Sequence, residues 1–158
     1  MNKLRFRSGQ VQLRKVRVDA NTTINAGDLL WLDISVARPA SDFAWNTDLP
    51  TTQAEFAAKF LGVAHQPSSV GETLPISVDV SPQSVYELDV SPGSYELGQA
   101  LGPDENLSLL MNQQLEGALS ANAIARSAEF TTGNVTTLRV TLATALTTGS
   151  SNANATVG

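Results

Sequence analysis

The sequence predicts a mostly β single domain, a β-sandwich or β-barrel with one short α-helix and an extended N-terminal arm. Three observations carry that prediction. Apolar residues alternate with polar ones in several short runs, Gly, Pro, Asn and Asp clusters separate those runs, and only one stretch carries a helix-start signature. At 158 residues the chain is long enough for one compact core and too short for two ordinary domains.

The first strand signal is Leu4 and Phe6, then Val11 and Leu13, then Val16 and Val18, with a change of face near Arg14–Lys15 that suggests a bulge. Turn chemistry at Asn21-Thr22-Thr23 and Asn25-Ala26-Gly27-Asp28 leads into residues 29–36. There Leu30, Leu32, Ile34 and Val36 alternate, with Trp31 on the opposite face, which predicts one strand ending before Arg38-Pro39. Residues 41–50, SDFAWNTDLP, have no period and read as a loop carrying Phe43 and Trp45, rings placed for contact with other chains. Thr52-Gln53-Ala54-Glu55 is a capping box, Phe56 and Phe60 follow at helical spacing, with Ala57 or Leu61 on the same face, and Gly62 is placed as the C-cap.

Strand grammar resumes with Ile76, Val78 and Val80 and then Tyr86, Leu88 and Val90. Val80–Leu88 is echoed by Val90–Leu97, which reads as two successive hairpin-like units with Pro82 and Pro92 at turns or strand starts. Residues 98–122 fit either a helical stripe (Leu107, Leu110, Met111, Gln114, Leu115) or extended chain. Ile124–Phe130 and Val135–Leu146 across Thr132-Gly133-Asn134 form a closing hairpin, and residues 147–158 are a small, polar, uncharged tail.

Charge is distributed unevenly. Charged residues make up 16% of the chain, against roughly 25% in an average globular protein. The formal net charge is −5, yet residues 1–18 hold six of the ten basic side chains (Lys3, Arg5, Arg7, Arg14, Lys15 and Arg17) and no acid. The remaining chain therefore carries four basic and all fifteen acidic side chains, a net −11. A basic arm or edge strand (1–18) on an acidic body (19–146) points to docking rather than turnover. Six cations could meet phosphates, but the acidic body would repel a duplex and only Phe6 offers a stacking ring, so no direct nucleic-acid binding is expected. Basic residues also protect sheet edges from aggregation, the plain structural alternative for this segment.

The chemical inventory is thin. No cysteine occurs, which removes disulfides, thiolate metal sites and thiol nucleophiles. The one histidine, His65, has no G-x-S-x-G elbow to serve, and no Gly-rich phosphate loop is present. The carboxylate groupings Asp104/Glu105, Asp79/Glu87/Asp89 and Asp42/Asp48 have the composition a glycosidase pair would need, but alternating Glu87 and Asp89 first describe the wet face of a strand. Asp104-Glu105-Asn106 lacks the spacing of a calcium loop and reads first as a turn or helix start. No enzymatic activity, cofactor or metal is expected. With no signal-peptide run and no apolar stretch of membrane-spanning length, neither a membrane partner nor secretion is expected, and a soluble cytoplasmic product is.

Ala26-Gly27-Asp28-Leu29-Leu30-Trp31-Leu32-Asp33, then Arg38-Pro39-Ala40-Ser41-Asp42, then Lys59-Phe60-Leu61-Gly62-Val63-Ala64 resemble the small capsid decoration, or cement, proteins of tailed bacteriophages. The similarity spans roughly residues 20–80 and brings no catalytic residues. The resemblance implies a non-enzymatic β-rich homotrimer on the outer surface of an icosahedral head, bridging neighbouring major capsid protein subunits of the virion. Lys3, Arg5, Arg7, Arg14, Lys15 and Arg17 are then the candidates for capsid contact, and Phe43 and Trp45 for subunit or capsid packing, with ordinary core as the alternative for the two rings. A different class of function is a carbohydrate-binding β-module of a viral tail or fibre, with Trp31, Trp45, Tyr86 or Tyr95 stacked on sugars. A third is a hydrolase using paired carboxylates.

Overall fold

A computed structural model describes residues 3–148. The chain is mostly β, as its alternation predicts, and ten of the eleven described strands form two closed circuits that meet along a shared aromatic layer, the eleventh adding to the edge of the second.

The first circuit is a five-stranded barrel in the order β2 (Leu13–Val18), β4 (Val36–Pro39), β3 (Leu29–Asp33), β5 (Phe60–Ala64) and β6 (Ile76–Asp79). Its interior is aliphatic: Val18, Ile24, Leu30, Ala37, Leu61, Ala64, Ile76, Val78 and Val80. Alternation along β3 sends Leu30 inward and Leu29 and Trp31 to the outside, and a register slip of β5 against Leu30/Trp31 lets both Phe60 and Val63 join the larger core while Leu61 and Ala64 face the barrel interior. Gly62 lies where β5 passes closest to β6. At φ +148° a Cβ there would stand 2.0 Å from the Asp79 carbonyl oxygen, so glycine serves strand approach and not the helix cap the sequence suggests.

In the second circuit β7 (Ser84–Gly93) pairs with β11 (Val135–Leu142), then β10 (Ala125–Ser127), β8 (Ala100–Asn106) and β9 (Leu109–Gly117), and β9 returns to β7 in parallel through Asp89↔Gln114 and Val90↔Leu115. The edge of β7 not used by β11 is shared: β9 takes its middle, and β1 (Phe6–Gly9) takes Ser84–Tyr86. The α1 helix (Leu49–Ala57) connects the circuits, packing Phe56 and Ala57 into the shared core while buried Gln53 donates from Nε2 to the Pro103 carbonyl at 2.9 Å. A short α2 (Ala145–Thr148) follows β11.

Several local expectations are corrected. The helix starts three residues before the capping box: Asp48 is the N-cap, accepting from Thr51 N–H at 2.9 Å, and Pro50 occupies the first turn where its missing N–H does no harm. Thr52 instead accepts from Asn46 N–H and donates to the Asp48 carbonyl, shaping the chain into the helix. Residues 29–36 are a hairpin and not one strand, because the chain reverses at Ile34-Ser35. The Val80–Leu88 and Val90–Leu97 echo is one turn and one long strand, with Pro82 in the turn and Pro92 near the end of β7. Residues 98–122 contain the β8–β9 hairpin and no α-helix. The face change in the N-terminal segment is a passage between sheets, since β1 belongs to the second circuit and β2 to the first. Its register slip falls between Phe6 and Ser8, and Leu13–Val16 run in unbroken register with β6. The closing hairpin is present as β10 and β11, but its second strand ends at Leu142 and not Leu146, and residues 145–148 form a second short helix, α2. Most of the predicted polar tail lies outside the described residues.

Candidate docking surface

The six cations of the N-terminal segment separate into two groups. Arg5 is largely enclosed, its guanidinium 3.0 Å from Asp89 Oδ1 and 3.9 Å from Glu87 Oε1, and Arg7 reaches the same Glu87 at 3.3 Å. These two fasten β1 to β7 and belong to the fold. Lys3 is exposed, and its backbone N–H donates to Gln113 Oε1 at 2.9 Å.

On β2 the situation is different. Arg14, Lys15 and Arg17 are exposed beside Leu13, itself 47% exposed. Lys15 Nζ donates to Gln66 Oε1 at 3.1 Å, and among the described residues Arg14 and Arg17 make no ion pair. β6 pairs along Leu13–Val16 on one edge, but β4 joins the other edge only at Arg17 and Val18, so no described strand pairs with that edge of residues 13–16. An open strand edge carrying unmatched cations can take an extended segment or an acidic surface.

The hairpin beside this strip is braced. Arg38 on β4 donates from Nε to Asp33 Oδ2 at 2.8 Å, from Nη1 to Thr22 Oγ1 at 2.9 Å and from Nη2 to Asp19 Oδ2 at 3.1 Å. The guanidinium fork thereby locks the β3–β4 hairpin to the turn after β2. Asn21 N–H, with Arg38 adding to it, holds the Asp19 carboxyl below its ordinary range.

Of the two loop aromatics, Phe43 is core. It is 7% exposed and packs edge-to-face between Trp31 (4.9 Å, 85°) and Phe56 (5.4 Å, 89°). Lys59 Nζ lies over the Trp31 and Phe43 rings at 5.7 and 5.9 Å. Trp45 is half-buried against the same core. Of the rings considered for sugar stacking, Trp31, Tyr86 and Tyr95 are buried, and Trp45 alone keeps a partly open face.

Several titratable groups are occupied in holding the chain together. Asp79, 1% exposed, accepts from Gln12 N–H (3.0 Å) and Ser81 N–H (2.9 Å) through Oδ1, and Ser84 Oγ (2.5 Å) and Tyr86 OH (2.6 Å) meet Oδ2. Tyr86 gives its one proton to this carboxylate, so its oxygen accepts from His65 Nε2–H at 2.6 Å. His65 thus has one ring nitrogen committed and no Ser nucleophile in contact. Burial lowers its pKa, with the Asp79 charge opposing, while burial and then Asp79 raise that of Tyr86. Among the carboxylates weighed as catalytic pairs, Glu87 and Asp89 hold Arg5, Asp48 caps α1, and Asp104 accepts from Gln114 Nε2 at 2.8 Å. Burial first and Asp104 second raise the pKa of Glu116.

Sequence reasoning does not find Asp79 as the polar hub, because its position in an alternating run resembles that of solvent-facing Glu87 and Asp89. Nor does it find the reversal at Ile34, which has no glycine or asparagine beside it, and the turn or helix start read at Asp104-Glu105-Asn106 is the end of β8, with the reversal one step later at Leu107-Ser108. No protein-family model matches the chain, and no curated protein matches it. No described helix is long and apolar enough to cross a membrane.

Proposed function

We propose that this protein is a non-enzymatic capsid cement protein that docks as a homotrimer on the outer surface of an icosahedral phage head and bridges major capsid protein subunits. The observation that carries the reading is the β2 strip, where Arg14 and Arg17 stand exposed and, among the described residues, without an ion pair beside an open strand edge, on a chain that is otherwise strongly acidic. Such a surface favours an acidic protein partner, and the net charge of the remaining chain disfavours nucleic acid. The resemblance over residues 20–80 points to the same role. Two β circuits packed on a common aromatic layer carry their contacts on one body, so contacts made at several points engage together and raise the barrier to shell opening through effective concentration.

The test uses purified full-length protein and mature heads stripped of it. The proposal expects saturable binding, weakened by added salt, and heads that withstand a higher temperature before releasing DNA. Heads that bind none of the protein at low and moderate salt would overturn it.

A further inference from the structure

We infer that the tips of the β3–β4 and β8–β9 hairpins are apolar contact knobs, Ile34 on one circuit and Leu107 on the other, that seat in sockets on the capsid protein shell. This rests on the cement reading and adds to the cationic strip a second, uncharged set of contacts.

The backbone makes the first part of the case. Only four described non-glycine residues have a positive φ, and two of them are Ile34 (+58°) and Leu107 (+52°). Ser35 N–H donates to the Asp33 carbonyl at 2.6 Å around Ile34, which makes a three-residue γ-turn of the rare, strained hand. At the other tip Leu107 and Ser108 (+60°) are both left-handed, the geometry in which hairpins select Asn-Gly. A β-branched isoleucine is among the worst occupants of this region, and leucine is little better. Folding alone would place glycine or asparagine at both.

Exposure makes the second part. Ile34 is 94% exposed and Leu107 88%, so neither side chain gains burial within the chain to offset its backbone. Both tips also stand on fixed bases. The Arg38 fork holds Asp33 under Ile34, and Glu105 Oε2 accepts from Ser108 N–H at 3.1 Å under Leu107. An exposed apolar side chain, held in an unfavourable conformation on a braced support, is pre-organised for a partner that buries it.

The surroundings select a protein socket over a lipid surface. Each tip presents a single aliphatic side chain, too little apolar surface to anchor in a bilayer, and at the second tip the carboxylates of Asp104 and Glu105 would repel anionic headgroups. Ile34 is also near the cationic strip, since Arg17 pairs with Val36 at the foot of its hairpin.

Ile34→Gly and Leu107→Gly test the assignment, because the same change removes the knob and relieves the backbone. Each variant is expected to melt at or above the wild-type temperature and to bind stripped heads at least tenfold more weakly. The double variant should lose binding altogether, and Ile34→Val should retain it. Leu74→Ser, at an exposed leucine elsewhere, is the control and should bind as wild type. Wild-type binding by both glycine variants, or a lowered melting temperature in each, overturns the inference while leaving the cement reading intact; failure of the wild-type protein to bind heads overturns both. Cosedimentation with vesicles of equal parts phosphatidylcholine and phosphatidylglycerol, lost in the glycine variants, would assign the tips to lipid and also overturn it.

Discussion

The two β circuits solve the same closure problem with different interiors. The β2–β6 barrel encloses nine small and medium aliphatic side chains and no aromatic ring. The β7–β11 circuit is filled by a cluster continuous with the layer between the two, in which Trp31, Phe43, Phe56 and Phe60 from the first half of the chain pack with Tyr86, Leu88 and Leu138 from the second. The first interior is self-contained, and the second is completed by residues the first half supplies. Their charges differ as well: β2 of the first carries exposed, unpaired cations, while Glu87, Asp89 and Asp104 of the second are engaged by Arg5, Arg7 and Gln114. The difference teaches that stability is concentrated between the circuits and that the unmatched charge lies on the outer side of one.

The most severe way to break this arrangement is at the shared layer. Phe56→Ala, at a fully buried ring, is expected to lose about 3–5 kcal/mol in urea unfolding and to lower the stability of both circuits in one transition. Ile76→Val, inside the first barrel alone, is expected to lose about 0.5–1.5 kcal/mol. Separate transitions for the two halves of Phe56→Ala would contradict the shared core.

Next in size is the polar joint. Asp79→Ala leaves Gln12 N–H, Ser81 N–H and the Tyr86 hydroxyl without their acceptor, while Ser84 Oγ keeps the Gln10 carbonyl, and about 1–3 kcal/mol is expected to be lost, again measured by urea unfolding. Unchanged stability would mean water replaces the carboxylate.

A smaller effect is read with pH. Because the folded protein holds the His65 pKa below its ordinary 6.5, the unfolded chain binds more protons as pH falls. The contribution is complete above about 6.5 and lost as pH falls toward the folded value. Melting temperatures between pH 7.5 and 5 should therefore fall more steeply for wild type than for His65→Gln, and parallel curves would remove His65 from the joint.

The strand content and the helix were legible because alternation and spacing are local properties. The closing hairpin was legible too, since Gly133 marks its turn. What eluded sequence reasoning depends on where the chain turns. Leu30, Leu32, Ile34 and Val36 keep period two straight through a reversal, because Ile34 occupies a turn position that its chemistry disfavours. The stripe from Leu107 to Leu115 imitates a helix for the same reason, with a leucine at the hairpin tip. Within the candidate surface, the cations of residues 1–18 were visible as a group. Their division was not, because Arg5 and Arg7 meet acids eighty residues away in sequence, while Arg14 and Arg17 meet none. Phe43 lies in the loop where the aperiodic sequence places it, but helix α1 and Trp31 close over it.

That division makes removal of residues 1–18 a poor probe, since it would take β1 from one circuit and β2 from the other. The direct measurement is binding of the Arg14→Glu/Arg17→Glu double variant to stripped heads across a salt series. Both side chains are exposed, so folding stability should stay within about 0.5 kcal/mol of wild type. The account predicts at least tenfold weaker binding at low salt and a flatter salt dependence. A folded double variant that binds with wild-type affinity and the same salt slope would contradict docking through β2.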